Sequence, residues 1–323
     1  MGKTINGTNG NDTLKQGNLV EVRIFGRDGN DRIALTRDDD LGGNNFVDAG
    51  NGNDTVANVF EGGNRIRLGN GNDTYVGGGF DFNFADRVDG GAGRDRFFVG
   101  TNISTYNGGD GNDTFISVGH KNIFSGGAGI DTISYEIRHE DSVVGDQGVT
   151  ISLGENGALT GSNSLEQLLS IENATGSLNA DIIAGSDGRN VLAGLAGDDE
   201  IHGLRGNDNL VGGLGKDILF GGSGRDHFIF GAKKDSGIGL ADEIRDFSRA
   251  DGDRIDLSAI DADSVKDGNQ AFHFLGEAAF SGKRGQVRFE DGVVLVDLNG
   301  DRQIDMVIGV DNTISMLSSD FIL

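Results

Sequence analysis

The chain contains no cysteine, no proline and no tryptophan among its 323 residues. Without cysteine there is neither a disulfide nor a thiolate metal site. Apolar residues never run far enough to span a bilayer. The start, MGKTINGTNGNDTL, lacks the basic and apolar regions of a secretory leader, which reads as cytosolic unless export uses another signal. Basic residues are scarce too, 27 against 51 acidic ones, for a formal net charge of −24. That balance disfavours nucleic acid and anionic membranes as partners. It also opposes compaction, because the carboxylates repel one another unless something positive offsets them.

What the chain has in excess is glycine, 57 residues, against an average usage of roughly 7%. A hydrophobic content of 36% with 19 Phe argues for a packed interior rather than a flexible linker. The length allows two domains or one long repetitive body.

The glycines are periodic. From Gly176 the chain divides into consecutive nonamers: GSLNADIIA, GSDGRNVLA, GLAGDDEIH, GLRGNDNLV, GGLGKDILF and GGSGRDHFI. The sixth position holds Asp181, Asn190, Asp199, Asp208, Asp217 and Asp226, and the eighth is always apolar, from Ile183 to Phe228. A short fixed period means a solenoid. Glycines at the first, second and fourth positions, such as Gly212, Gly213 and Gly215 or Gly221, Gly222 and Gly224, allow φ > 0 and inward-pointing carbonyls. The aspartate adds a hard anionic oxygen, and Ca²⁺ takes six to eight oxygen ligands in a flexible shell. The apolar eighth residue points from mid-strand into the core. One nonamer makes half a turn. Asp181, Asp199 and Asp217 then stack on one edge, with Asn190, Asp208 and Asp226 on the other, and neutral Asn190 makes the weaker site.

Closer to the N-terminus the same loop recurs with its aspartates at Asp12, Asp31, Asp54, Asp73, Asp95, Asp113 and Asp131, spaced by 19, 23, 19, 22, 18 and 18 residues. That is close to two nonamers, so each full turn carries one calcium loop and all lie on one edge. Nine residues before five of these aspartates stand Asn45, Asn64, Asp86, Ser104 and Asn122, which predicts a hydrogen-bonded ladder on the opposite edge. Lys3 and Val22, at the corresponding places in the first two turns, do not fit it. One ion between each pair of stacked loops gives roughly nine calcium ions.

Between Ile133 and Gly176 the period lapses. GVTISL (148–153) alternates like a strand, and SLEQLLSIEN (164–173) reads either as a strand or as a short helix with a capping box at Ser164 and Gln167. After Phe230, alternating pairs such as Val287/Phe289, Val294/Val296 and Met306/Ile308 predict strands of a capping unit over the open end of the solenoid.

Signatures of catalysis are missing. None of the five histidines lies in an HExxH pattern; RHEDS around His139 lacks the second His, and His202 and His227 read as surface residues of repeat strands. There is no GxSxG elbow, no phosphate loop and no long apolar segment of the kind a pore former needs. DLNGDRQID (297–305) places Asp297, Asn299 and Asp301 at alternate positions, but Ile308 stands where an EF-hand has its Glu; it is either a calcium turn or a polar one. Loop asparagines such as Asn11 and Asn30 recur, but the third loop position holds no Thr, so an ice-matching row is incomplete.

The unit GGxGxDxUx resembles the calcium-binding nonapeptide of RTX (repeats-in-toxin) proteins. Residues 176–323 are further similar to the C-terminal region of serralysin-type secreted metalloproteases, through EIRDFSRADGDRIDLSAID, AFHFLGEAAFSGKRGQVRF, VDLNGDRQIDMVI and the closing DFIL. Residues 1–135 resemble the repeat class alone. The resemblance implies an all-β fold, a right-handed parallel β-roll or β-solenoid with stacked calcium loops and a C-terminal β-sandwich-like cap. It also implies export by a type I secretion apparatus that reads the C-terminal segment, here Asp320, Phe321, Ile322 and Leu323. The expected layout is a β-roll over 1–135, an irregular insertion over 136–175, a regular nonapeptide roll over 176–231, and the cap with the secretion signal over 232–323. The expected function is that of a secreted bacterial, non-enzymatic protein folded by extracellular calcium, with an extracellular polysaccharide or host surface as partner. The alternatives are an export module derived from a hydrolase, or an adhesin or ice-binding RTX protein.

Overall fold

Alternating burial along each strand shows how the repeats fold. In Arg65–Asn70, Ile66 and Leu68 are buried while Arg65 and Arg67 are exposed, the two-residue period of a strand with one face in a core. The computed structural model describes residues 2–36, 43–58, 60, 62–78, 84–138, 148–160 and 164–323. Among these there is no α-helix, a short 3₁₀ turn lies at Ser318–Asp320, and no helix is long and apolar enough to cross a membrane. The chain forms two compact units, 1–145 with 155–173 and 146–154 with 174–323.

In the first unit every turn supplies one strand to each of two parallel sheets. One sheet runs from Thr4–Asn6 through Arg23–Asp28, Phe46–Asn51, Arg65–Asn70, Arg87–Ala92 and Thr105–Asp110 to Ile123–Ala128. The other runs from Thr13–Lys15 through Arg32–Leu35, Thr55–Asn58, Thr74–Gly77, Arg96–Val99 and Thr114–Ser117 to Thr132–Ser134. Registers are unbroken, so equivalent side chains form columns. Ile24, Val47, Ile66, Val88, Tyr106 and Phe124 line one inner face, with Leu14, Ile33, Val56, Tyr75, Phe97, Phe115 and Ile133 on the other. The second column is the apolar eighth position of the repeat. Midway the core becomes aromatic: Phe97 stacks on Phe115 at 4.7 Å and Tyr106 on Phe124 at 5.5 Å.

The segment that breaks the period is strand, not helix. Ser164–Leu169 buries Glu166 and Leu168 and exposes Leu165, Gln167 and Leu169, and it pairs in parallel with Ile123–Ala128 as a further rung of the first unit. The alternation of the pleat outweighs the local capping-box pattern. Val149–Ser152 belongs to the second unit, where it pairs with Ile182–Ala184.

In the second unit one sheet continues from there through Glu200–His202, Ile218–Phe220 and Asp242–Ile244. The other contains Val191–Ala196, Asn209–Leu214, His227–Ile229, Arg254–Asp256 and Phe321–Ile322. The cap closes the first of these sheets: Met306–Val310 pairs in parallel with Asp242–Ile244, then Val293–Asp297 and Gln286–Glu290 follow in antiparallel. Arg249 grips buried Asp320 at 2.8 and 2.6 Å through two nitrogens, which holds the last strand in place.

Phe97 is fully buried against Phe115. Phe97→Ala is therefore expected to lower stability by about 3–5 kcal/mol, read from denaturant unfolding at saturating calcium.

Candidate metal centres

The loop aspartates of the first unit form one continuous ladder. The backbone N–H of Asp12 donates to Oδ1 of Asp31 at 2.8 Å, that of Asp31 to Asp54 at 2.7 Å and that of Asp54 to Asp73 at 2.6 Å. The pattern repeats from Asp73 to Asp95, Asp95 to Asp113 and Asp113 to Asp131. It ends where Asp131 donates to Glu172 at 2.8 Å. Each carboxylate thus spends one oxygen on the turn before it.

The second oxygen is the informative one. Oδ2 of Asp31, Asp54, Asp73, Asp95, Asp113 and Asp131 is buried without a hydrogen-bond partner. A buried carboxylate oxygen left alone costs stability unless a cation takes it. The space around it is a cradle: a Cβ on Gly108 would collide with Asp113 Oδ2 and with the carbonyl of Gly126 one turn on. Among the described residues no three histidine or acidic side chains converge on one point. An ion here would be held by loop carbonyls with a carboxylate from the loop, a donor set of hard oxygens suited to calcium.

The glycines divide this work differently from the expectation above. Gly213, Gly215, Gly222 and Gly224, at the second and fourth positions, have φ of 111°, 142°, 91° and 126°. Gly212 and Gly221, at the first position, do not have positive φ. They are needed for clearance, because a Cβ there would strike Oδ2 of Asp217 or Asp226.

Both edges of the second unit carry such a ladder. Asp181 donates to Asp199 and Asp199 to Asp217 on one edge, Asn190 to Asp208 and Asp208 to Asp226 on the other. Oδ2 of Asp199, Asp208, Asp217 and Asp226 is again buried and unpartnered. Each ladder extends one rung beyond the nonapeptides, from Asp217 to Asp242 and from Asp226 to Asp253, both at 3.0 Å. Asp242 Oδ2 is a further unpartnered oxygen, whereas Asp253 Oδ2 accepts the Ser248 N–H at 2.8 Å. The signal for these two was the triplet Asp-x-Ile at 242–244 and 253–255, which keeps the end of the repeat without its second- and fourth-position glycines.

The opening loops are closed on themselves. Asp12 Oδ2 accepts from the N–H and hydroxyl of Thr8 at 2.6 and 2.9 Å, and Asp181 Oδ2 from the Ser177 N–H at 2.5 Å. Asn190 Oδ1 accepts the Ser186 N–H at 2.7 Å. In all three a hydroxyl residue replaces the second glycine, so Asp12 and Asp181 differ from the other loop aspartates named from sequence.

The opposite edge of the first unit satisfies every carboxylate oxygen it carries. Asn45 donates to Asn64, Asn64 to Asp86, Asp86 to Ser104 Oγ and Ser104 to Asn122. Asp86 Oδ2 also accepts from Asn58 at 2.8 Å and from the Tyr75 hydroxyl at 3.1 Å. Glu166 carries the row one rung further, held by Asn122 and by the Tyr135 hydroxyl at 2.8 Å. Val22, without a polar side chain, joins the row through its backbone N–H, which donates to Asn45 Oδ1 at 2.9 Å, and buried Gln16 accepts the Thr36 N–H beside it.

Other candidates come to less. The carboxylates of the 297–305 turn are directed at backbone: Asp297 accepts from Gly300 and Arg302, Asp305 from Leu298. His202 lies flat on Phe220 at 4.5 Å and meets Glu200 at 2.7 Å, while His139 lies outside the described residues.

The family model described as the peptidase M10 serralysin C terminal matches residues 126–323. The chain belongs to that family. The model of the RTX calcium-binding nonapeptide repeat matches residues 22–42, 83–106 and 100–133. The fold of this serralysin-type chain is thus the parallel RTX β-roll, and it binds calcium at several sites. Neither match includes a catalytic domain, and no curated protein matches. Among solved structures, the chain is similar to the AlgE6R3 subunit of the Azotobacter vinelandii mannuronan C5-epimerase, with 26% identity, 45% of this chain and 79% of that one covered, and a TM-score of 0.32. It is also similar to the extracellular lipase LipA of Serratia marcescens, with 16% identity, 76% of this chain and 41% of that one covered, and a TM-score of 0.31.

Desolvation, reinforced by neighbouring carboxylates in the ladder, pushes Asp73 and Asp95 up to about 7 and Asp199 and Asp242 up to about 8, from 3.8. Between these values the metal-free folded chain binds more protons than the unfolded one, so its stability falls as pH rises through about 7 to 8. In chelator any residual β signal in circular dichroism is expected to be larger at pH 5 than at pH 8, and half-saturating calcium should fall over the same rise. Gly108→Ala, at a position without φ strain, is expected to remove one bound calcium in equilibrium dialysis. An unchanged stoichiometry would show that the cradle is not the site.

Proposed function

We propose that this chain is a secreted, non-enzymatic calcium-binding protein whose β-roll assembles only in calcium-rich medium after type I export. The observation that carries this reading is the set of unpartnered buried oxygens, from Asp31 to Asp242, in a chain of net charge −24. Stacked on adjacent strands about 4.8 Å apart, these carboxylates oppose folding when ionised. A bound calcium ion supplies two positive charges and an oxygen shell that spans two turns. Its binding free energy is then folding free energy, so low calcium keeps the chain loose and exportable.

The C-terminal segment is consistent with such an order of events. Phe321–Ile322 pairs with Ile255 and Asp256, and Phe321 is buried. The Asp320–Leu323 segment is therefore open to recognition only before the cap forms, and we infer that the secretion apparatus reads it then. The ice-binding alternative meets an obstacle on the outer face of the second sheet, where Arg32 and Arg96 interrupt the register of Thr13, Thr55, Thr74, Thr114 and Thr132.

Far-UV circular dichroism of the whole chain, titrated with calcium from a chelated start and with magnesium as control, tests the proposal. A cooperative coil-to-β transition specific to calcium is expected. A fully formed β signal in chelator at neutral pH would overturn it.

A further inference from the structure

Strand register brings together, on the outer face of the first unit, residues that no calcium loop uses. Arg23, Phe46, Arg65 and Arg87 occupy the same position on four successive strands, and Arg67 lies two residues beyond Arg65. All four arginines are exposed, and none forms an ion pair among the described residues, although salt bridges involving other arginines occur in the second unit. Arg65, Arg67 and Arg87 border a concavity of about 330 Å³ that also includes Thr105 and Asn107. Asp48 and Asp89 flank Arg67 in register, and Asp89 is engaged by Asn107 at 2.9 Å. The row of Arg23, Arg65 and Arg87 contains no acid.

Two of the four arginines, Arg23 and Arg67, are held against aromatic rings. The Arg23 guanidinium sits 5.6 Å from the Phe25 ring and 5.2 Å from the Phe46 ring, and Arg67 lies 5.9 Å from Phe46 on the same face. Such contacts restrain side chains that otherwise lose rotamer freedom on binding. A guanidinium offers a planar fork that matches a carboxylate.

We propose that this face binds an acidic polysaccharide, a carboxylate-bearing glycan chain lying across the strands. Adjacent strands are about 4.8 Å apart, the scale of one sugar ring, so successive carboxylates can meet successive arginines with Phe46 as an apolar platform between Arg23 and Arg65. A rigid duplex would carry its phosphates on a broad cylinder, which a single narrow row of side chains does not follow. The general repulsion of a chain with net charge −24 is relieved when the carboxylate ladders are neutralised, so binding follows calcium loading. The proposal deepens the secreted calcium-binding reading above and rests on it.

The test is binding of oligogalacturonate to the full calcium-loaded chain by calorimetry, with dextran and a short DNA duplex as controls and circular dichroism on the same sample. Oligogalacturonate should bind and dextran should not, with affinity falling as salt is added. Arg65→Ala with Arg87→Ala should weaken binding by about tenfold or more, the scale of lost charge-assisted hydrogen bonds, while leaving the calcium-induced β signal intact. The lysine pair should retain part of the affinity. Equal affinity in the alanine variant, which would mean bridging by calcium alone, overturns the proposal, as does equal affinity for the DNA. A β signal that forms on calcium addition without any oligogalacturonate binding sinks this proposal alone; a missing calcium transition sinks the folding reading beneath it.

Discussion

One interaction sets the terms for the rest of the structure: a backbone N–H of one turn donating to a loop carboxylate of the next. It fixes the register of the turns, because each aspartate has to meet the amide of its counterpart, as Asp95 meets Asp113 at 2.8 Å. It also turns the other oxygen into a buried corner beside backbone carbonyls of the next turn. Every ladder is therefore a compromise. Oδ1 supports the stack, whereas Oδ2 weakens it until a cation arrives. The upward displacement of Asp199 and Asp242 to about 8 expresses the same conflict as a competition between proton and metal.

The first unit shows both ways of resolving it. On one edge the aspartates keep an unpartnered oxygen; on the other, Asn64, Asp86, Ser104 and Asn122 use amides and hydroxyls to meet every acceptor they bring. Asp86 is instructive because it is chemically a loop aspartate. What separates it from Asp95 is that Asn58 and Tyr75 reach its second oxygen, whereas nothing reaches that of Asp95. A metal ladder and a structural ladder therefore differ in the donors supplied from the interior. The spacing of the acid does not distinguish them.

That contrast explains how far the site could be read from the sequence. The loop aspartates and the apolar eighth residue were legible because backbone geometry imposes them at a fixed interval, and a fixed interval survives any change at neighbouring positions. Asp242, Asp253 and Glu172 were not. They complete the same ladders from outside the repeat; a bare Asp-x-Ile triplet marks Asp242 and Asp253 too weakly to fix a rung, nothing local marks Glu172, and the three-dimensional stack assigns each its place. Glu166 was hidden in a segment whose local pattern suited helix and strand alike; pairing with Ile123–Ala128 decided for strand. The role of Gly212 and Gly221 was misread for a related reason. Sequence shows that a glycine is required, but not whether the constraint is a dihedral angle or the absence of a Cβ.

A solenoid in which each turn touches only its neighbours gains stability rung by rung, and its ends need separate treatment. The opening loops achieve this with Thr8, Ser177 and Ser186, whose donors occupy the oxygen that a previous turn and its ion would otherwise share. At the far end the cap supplies Asp242 and Ser248, and Arg249 secures the last strand through Asp320. Unpartnered oxygens therefore occupy the middle of each aspartate ladder, and protein donors take their place at most of its ends. Hydroxyls and a salt bridge mark where the roll stops. Once the ladders are neutral, the outward side chains face solvent with the charge they carry themselves. On the face around Phe46 that charge is positive.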